Sequence, residues 1–118
     1  MSGKIAWTDL TVADAQSIRD FYSNVVGWEP EAVRMGEYDD FNMVAPGSNE
    51  PSAGICHARG SNADLPPVWM IYITVDDLQK SLEECQRLGG KVLKPPRENS
   101  QYAVIEDPAG AICTLYQQ

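Results

Sequence analysis

An internal repeat limits the folds open to this chain of 118 residues. The segment Thr11–Gln16 (TVADAQ) recurs 63 residues later as Thr74–Gln79 (TVDDLQ). At the same spacing Gly27 corresponds to Gly90, so two helical stretches are expected to end at matched glycines. One module of about 55–60 residues buries little apolar core by itself. We therefore expect two modules to pack as one domain about a pseudo-twofold axis, with a cleft at that axis.

Composition and charge exclude several classes of protein. No segment approaches the ~20 apolar residues of a membrane span, and the start of the chain does not resemble a signal peptide. The net charge of −8 disfavours binding to nucleic acid or to an anionic membrane. The three cysteines, Cys56, Cys85 and Cys113, form no C-x-x-C motif, and an odd number argues against a disulfide framework. A reduced, cytoplasmic location is expected, with each cysteine acting as a small apolar side chain.

Hydrophobic patterns in the first half predict a strand, a helix and further strands. The first strand alternates, with Leu10 and Val12 on one face and Trp7, Asp9 and Thr11 on the other. The predicted elements are a strand over 5–12, a helix marked by Ala15, Ile18, Phe21 or Tyr22 and Val25 and ended by Gly27, and strands near 37–44 and 52–58.

The second half repeats this order. Asp76 stands three residues before Gln79, a weak form of the capping box that opens a helix. The predicted elements are a strand over 68–75 with Ile71, Ile73 and Val75 opposite Met70, Tyr72 and Thr74, a helix with Leu78, Leu82, Cys85 and Leu88 inward that ends at Gly89-Gly90, and strands over 91–93, 102–106 and 111–118.

The order β-α-β-β-β therefore occurs twice. It predicts an α+β fold in which helices pack on the outer face of mixed sheets. We expect one domain over residues 1–118, with modules at about 1–59 and 68–118 and a linker at about 60–67 that contains Gly60 and Pro67.

Short motifs in both halves resemble those of the vicinal oxygen chelate superfamily. They are Asp9–Val12, Phe21-Tyr22, Val26–Trp28, Tyr72–Asp77, Leu88–Val92 and Asp107–Gly110. This superfamily includes glyoxalase I, bleomycin-resistance proteins, fosfomycin-resistance enzymes and extradiol dioxygenases, and the chain is most similar to small bacterial proteins described as predicted lactoylglutathione lyase relatives. The resemblance implies two βαβββ modules in a cupped sheet that holds a ligand, and a homodimer.

The resemblance also implies four positions for a divalent metal. Motif spacing gives Trp7, Met70 and Thr114, and aligning Ile55-Cys56 with Ile112-Cys113 gives His57 as the fourth. An indole has no lone pair to donate, a thioether is a poor ligand for Zn, Ni or Mn, and a lone hydroxyl is weak. We therefore expect neither a metal nor another cofactor.

A cup without a metal suits a flat or apolar organic molecule. The expected ligand-binding residues are Trp7, Asp9, His57, Met70, Tyr72 and Thr114. Asp9, His57 and Tyr72 are also candidates for acid–base catalysis. The alternatives are structural: Asp9 pairs with a hydroxyl or lies at the solvated rim, His57 is a hydrogen-bonded structural residue, and Trp7 and Met70 fill a core.

Other residues are assigned by type alone. Six aromatic side chains are candidates to line the cup, although the sequence does not determine which face of the sheet each one occupies: Trp28, Tyr38, Phe41, Trp69, Tyr102 and Tyr116. The acidic pairs Asp39-Asp40 and Glu83-Glu84 are expected on solvated faces.

Three functions follow from these observations. The favoured one is a metal-free binder of a small organic molecule, similar to the bleomycin-resistance proteins. The second is a lyase- or dioxygenase-type enzyme of the same superfamily that uses acid–base chemistry or an atypical metal site. The third is an interaction module whose cup is closed by side chains.

Overall fold

The computed structural model describes residues 2–118 and divides into two compact units. The first unit is Thr8–Trp69, and the second contains Met70–Gln118 together with residues 2–7. The first strand, β1 (Ile5–Val12), contributes residues to both units. No helix in this part of the chain is long and apolar enough to cross a membrane.

The first unit places one helix against a four-stranded sheet. After β1 come α1 (Ala15–Val26), β2 (Glu29–Arg34), β3 (Asp39–Val44), β4 (Pro51–His57) and a short 3-10 turn at Gly60–Asn62. The strand order is β2-β3-β4-β1, in which β4 runs parallel to β1 and the other pairs are antiparallel. β2 has no counterpart among the strands predicted from the sequence, because its residues are mostly exposed and do not alternate in hydrophobicity.

The core of this unit lies between α1 and the sheet. It consists of Ala15, Phe41, Met43 and Ile55, all buried, with Val12, Ile18 and Tyr22 packed around it. The predicted facing of Val12 under the helix is confirmed, and Phe41 proves to be a core residue. Gly27 ends α1 in the left-handed conformation (φ 85°), as the sequence predicts.

The second unit repeats the arrangement. Its elements are β5 (Trp69–Val75), α2 (Leu78–Arg87), β6 (Lys91–Lys94), β7 (Tyr102–Glu106) and β8 (Ile112–Gln117), with the strand order β5-β8-β7-β6. β8 runs parallel to β5. The start of the chain lies beside β5, because the Gly3 N–H donates to the Thr74 carbonyl (2.7 Å) and the Thr74 N–H donates to the Lys4 carbonyl (2.8 Å).

The core of the second unit lies beneath α2. Its buried residues are Leu78, Leu82, Ala103 and Leu115, and Ile73, Val75, Val92, Ile105 and Cys113 pack against them. The predicted inward facing of Ile73 and Val75 is confirmed. The α+β class and the doubled βαβββ order are confirmed as well.

Two predictions about the boundaries of α2 are wrong. The helix is capped by Asp77, whose side chain accepts a hydrogen bond from the Lys80 N–H (3.1 Å), and not by Asp76. At the other end the last helical residue is Arg87, so Leu88 lies beyond the amphipathic stretch and is 63% exposed instead of packing inward.

The predicted end of α2 at Gly89-Gly90 is confirmed, but the match of Gly27 with Gly90 does not hold in detail. Gly89, with φ 95°, adopts the left-handed conformation that Gly27 adopts after α1, because α2 ends earlier relative to the repeat. Gly90 is required for a different reason. A Cβ at Gly90 would lie 2.6 Å from Cys85 Sγ and 3.0 Å from the carbonyl oxygens of Cys85 and Glu106.

Candidate functional site

Three tyrosines form a continuous aromatic surface on the second unit. Tyr102 lies opposite Tyr116 on the neighbouring strand, and their rings stack with centroids 4.8 Å apart and an interplanar angle of 17°. Tyr72 meets the Tyr102 ring edge-on, at 5.9 Å and 89°. We call Tyr72, Tyr102 and Tyr116 the tyrosine surface.

The tyrosine surface faces away from α2. Neighbours in the chain, such as Ala103 and Leu115, pack beneath the helix, and successive side chains of a strand point to opposite faces. Tyr102 is 47% exposed, so part of its ring is open to a ligand. An exposed, stacked aromatic pair on a sheet face can hold a flat molecule by stacking and by burial of apolar area.

Three more residues predicted to bind a ligand belong to this unit. Thr114 pairs with Tyr72 across β5 and β8 and is buried, which places the two side chains on the same face. Met70 is buried on β5, and Trp7 is half-buried at the end of the segment that lies beside it. The structure therefore gathers Tyr72 and Thr114 directly and Met70 two residues along the same strand.

The remaining two predicted residues belong to the first unit. Asp9 lies on β1 opposite Gly54, and His57 is the last residue of β4. The expectation that Asp40 lies on a solvated face is wrong, because Asp40 is only 8% exposed. Its Oδ1 accepts a hydrogen bond from the His57 backbone N–H (2.8 Å) and lies 3.3 Å from His57 Nδ1.

Two further side chains surround this Asp40–His57 pair. The Tyr38 ring meets the His57 ring edge-on, with centroids 5.4 Å apart. The guanidinium carbon of Arg59 lies 4.3 Å from the centroid of the Tyr38 ring, a cation–π contact. Tyr38, Asp40, His57 and Arg59 thus form one connected polar group in which the sequence had singled out only His57 for chemistry.

Cys56 is held as a protonated thiol. Its pKa is raised to about 12, first by burial and then by the nearby negative charges of Asp9 and Asp40 and a hydrogen bond with the Asp40 side chain. A thiol in such an environment is a poor nucleophile near neutral pH. Across β1 and β4 the residue that pairs with Cys56 is Thr11, and Asp9, two residues before it, affects the thiol through its charge.

Two of the possible wall residues lie on the helix side of the first unit instead. Trp28 and Trp69 pack against the core there, and both contact the Tyr22 ring, with centroids 5.9 and 5.2 Å away. Trp69 Nε1 donates to Tyr22 Oη (3.3 Å). A shallow apolar cavity of about 360 Å³ lies beside them, lined by Leu10, Val12, Ile18, Phe21, Tyr22, Pro67, Val68 and Trp69.

Comparison with known families agrees with this architecture. The sequence model of the Glyoxalase/Bleomycin resistance protein/Dioxygenase superfamily matches residues 4–113. The chain belongs to this superfamily.

Two proteins of similar sequence carry names that refer to different roles. CFP32 of Mycobacterium bovis, whose name assigns it provisionally to the glyoxylases, is 28% identical over 124 residues, which cover 94% of this chain and 44% of CFP32. DnrV of Streptomyces peucetius, an anthracycline biosynthesis protein, is 26% identical over 130 residues, which cover 98% of this chain and 47% of DnrV. The chain thus spans about half the length of these relatives.

Two solved structures of similar fold superpose on nearly the whole of this chain. A hypothetical protein from Bacillus halodurans has a TM-score of 0.62 at 12% identity, covering 100% of this chain and 96% of that one. Methylmalonyl-CoA epimerase from Mycobacterium tuberculosis has a TM-score of 0.55 at 17% identity, covering 93% and 84%. At these identities the likeness concerns the fold alone.

The strand register corrects one of the four superfamily metal positions. Tyr72 pairs with Thr114, and Asp9, 63 residues before Tyr72, pairs with Gly54. Gly54, and not His57, is therefore the counterpart of Thr114 in the first module. Aligning Ile55-Cys56 with Ile112-Cys113 placed this counterpart at His57, three residues too far along the chain. The error arises because the connections between the first and last strands differ in length in the two modules.

The residues at the superfamily metal positions do not fit a divalent ion. With the corrected register they are Trp7, Gly54, Met70 and Thr114, which together offer one thioether and one hydroxyl. Neither is a good ligand for Zn, Ni or Mn. Within residues 2–118, no three His, Cys, Asp or Glu side chains lie close enough together to hold a metal ion.

Proposed function

We propose that this member of the superfamily binds a small, flat, partly aromatic organic molecule on the tyrosine surface and needs no divalent metal to do so. The observation that carries the proposal is the stack of Tyr102 on Tyr116 with Tyr72 edge-on to it. A rigid aromatic pair can bind flat ligands of different structure, because each of them can stack on the same preformed ring face.

The buried neighbours of the tyrosine surface support this binding mode. Thr114 and Met70 lie on the same face as Tyr72 and are each only 3% exposed, so they pack beside the tyrosines and do not offer a surface to the ligand. Close packing around Tyr72 keeps its ring in place, which favours a preformed aromatic surface.

The donor chemistry at the superfamily positions supports binding without a metal. Trp7, Gly54, Met70 and Thr114 include no imidazole and no carboxylate. The energy of binding would then come from stacking and apolar burial. Such binding should survive chelation, which gives the proposal a direct test.

The name of one relative agrees with a flat organic ligand. DnrV is named for the biosynthesis of anthracyclines, which are planar polycyclic compounds. We therefore choose an anthracycline as the probe.

The experiment is a fluorescence titration of the purified protein with an anthracycline. We expect saturable binding that weakens about tenfold in Tyr102→Ala and is retained in Tyr102→Phe, since the phenylalanine ring still stacks. Leu88→Ala, which truncates an exposed apolar side chain at the end of α2 in the same unit, should bind as the wild type does. Equal affinity of the Tyr102→Ala and Leu88→Ala proteins would overturn the proposal.

A further inference from the structure

The cavity beside α1, on the helix side of the first unit, has the size and lining of a small-molecule site. Its volume of about 360 Å³ falls within the range of about 300–1,000 Å³ that such sites occupy. Leu10, which is 7% exposed, forms its floor, while Phe21 and Val68 at the rim are 54% and 40% exposed. The eight described residues that line it are all uncharged, and three of them are aromatic. This lining suits an uncharged molecule, because a charged group would lose its hydration there without an ion partner.

The internal repeat shows that helix packing does not require the phenyl ring of Phe21. At the spacing of 63 residues Phe21 corresponds to Glu84, and each of the two lines a cavity in its own unit. Val12 and Val75, which are also 63 residues apart, line the same two cavities, so the positions are equivalent. In the second unit the side chain is a carboxylate that pairs with Arg87 at the surface. The exposed ring is therefore a feature of the first cavity alone, and exposed apolar surface around a cavity is typical of a binding site.

One polar group is fixed at this cavity. Trp69 Nε1 donates to Tyr22 Oη (3.3 Å), and both residues line the cavity. The Tyr22 ring also contacts the rings of Phe21 and Trp28, with centroids 5.1 and 5.9 Å away. Because the phenol oxygen is the acceptor in its bond with Trp69, its own O–H can donate to a ligand. A positioned donor in an apolar lining selects a molecule that carries a hydrogen-bond acceptor.

We propose that this cavity binds an uncharged, apolar ring compound with one hydrogen-bond acceptor, such as an aromatic ketone. The Tyr22 hydroxyl donates to the acceptor of the ligand. The ligand rings pack against Phe21 and Val68 and cover apolar surface that is otherwise exposed to water. The net charge of −8 further disfavours an anionic ligand. The site lies on the first unit and does not depend on ligand binding at the tyrosine surface.

The indole N–H of Trp69 gives a direct readout of binding. Isotope-labelled protein is titrated with acetylnaphthalene, and the Trp69 indole signal, assigned with Trp69→Phe, should shift in a saturable way. The charged analogue naphthoate should bind at least about tenfold more weakly. Absence of a saturable shift with acetylnaphthalene, or equal affinity for naphthoate, would overturn the proposal.

Removal of the Tyr22 hydroxyl tests the assigned donor. Tyr22→Phe keeps the ring and should weaken acetylnaphthalene binding about fivefold, the effect of one neutral hydrogen bond. Ethylnaphthalene has the same rings without the carbonyl, so its affinity should be the same in Tyr22→Phe and the wild type. An equal loss of affinity for both compounds would mean that Tyr22 acts only through packing, which contradicts the proposal.

A matched pair of variants tests the position of the site. Phe21→Glu introduces the residue that the second unit has at this position, and it should weaken acetylnaphthalene binding at least about tenfold. Val25→Glu adds the same charge one turn further along α1, at a residue that is 64% exposed and outside the described lining, and should bind as the wild type does. Equal affinity of the two variants would overturn the proposal.

Two further measurements separate this site from the other surfaces of the protein. The Trp69 signal of the Tyr102→Ala protein should respond to acetylnaphthalene as in the wild type, and loss of this response would assign the compound to the tyrosine surface instead. Sedimentation gives the mass of the wild-type and Phe21→Glu proteins. A wild-type dimer that dissociates in Phe21→Glu, together with no response of Trp69 to acetylnaphthalene, would show that a second copy of the chain covers the cavity and would contradict a small-molecule site.

Discussion

Tyr102 and Tyr116 lie directly opposite each other on β7 and β8, and their rings stack with centroids 4.8 Å apart. Tyr102 is half exposed while Tyr116 is more buried, so the pair presents one face to solvent from a fixed support. Because Tyr72 closes the edge of the pair, the surface is already assembled before a ligand arrives. A preassembled surface lowers the entropic cost of binding.

Stability should depend little on Tyr102 and more on Tyr116. Tyr102→Ala removes a half-exposed ring, and we expect a loss of about 1 kcal/mol or less in the free energy of unfolding, of the order of one aromatic pair. Tyr116→Ala removes a more buried ring and should cost about 3 kcal/mol. Urea denaturation of both variants measures the difference. A larger loss for Tyr102→Ala would mean that its ring is a core element and not a binding surface.

The helix cap at Asp77 gives a paired test of the α2 boundary. Its side chain accepts the Lys80 N–H, so Asp77→Ala should lower the free energy of unfolding by about 1 kcal/mol. Asp76→Ala removes the adjacent carboxylate, which does not cap the helix, and should change stability by less than about 0.5 kcal/mol. Thermal denaturation of the two variants checks this, and the reverse order would contradict the structure.

Gly90 should tolerate no side chain. In Gly90→Ala the new methyl would lie 2.6 Å from Cys85 Sγ and 3.0 Å from two backbone carbonyl oxygens, which predicts a loss of about 1–3 kcal/mol in the free energy of unfolding. The double variant Cys85→Ala with Gly90→Ala removes only the sulfur contact. It should therefore recover part of the loss caused by the glycine substitution, once the effect of Cys85→Ala alone is subtracted. No recovery would assign the whole clash to the backbone.

The raised pKa of Cys56 predicts that its thiol is alkylated slowly and that the free energy of unfolding falls at alkaline pH. With its pKa raised from 9.0 to about 12, the thiolate fraction near neutral pH is lower by about a thousandfold, and alkylation should be correspondingly slow until the protein is unfolded in urea. Because the folded-state pKa is raised, the contribution of Cys56 to stability is present below pH ~9 and is lost as the pH rises towards ~12.

A variant isolates this effect of pH. Cys56→Ala has no thiol to ionise, so its free energy of unfolding should decline less steeply between pH 9 and 12 than that of the wild type. Denaturation midpoints at several alkaline pH values measure the two slopes. Parallel slopes would show that Cys56 ionises equally easily in the folded and unfolded states.

The repeat and the hydrophobic patterns predicted the fold because they report directly on burial. Val12 and Ile73 face their helices as the alternation of each strand requires. β2 was not predicted because its exposed residues leave no hydrophobic period to read. The register of β4 was also missed, since Ile55-Cys56 and Ile112-Cys113 match in residue type while the strand pairing is fixed by loop length.

The candidate sites were predicted in part. Tyr72 and Thr114 share a face by the alternation of paired strands, which the sequence contains. The stacking of Tyr102 on Tyr116 depends on the β7–β8 register, and the hairpin turn at 107–110 was the only signal for it. Asp40 was assigned to solvent because acidic residues are rarely buried, and its partner, the backbone N–H of His57, leaves no trace in the sequence.

Metal independence is the central claim, and anthracycline binding before and after chelation tests it most directly. The protein is titrated as purified, after EDTA treatment, and after readdition of Zn²⁺, Ni²⁺, Mn²⁺ or Mg²⁺, with bound metal measured in each sample. We predict the same dissociation constant in all samples and no stoichiometric metal before treatment. Binding that is lost with EDTA and restored by one of these ions would contradict the account.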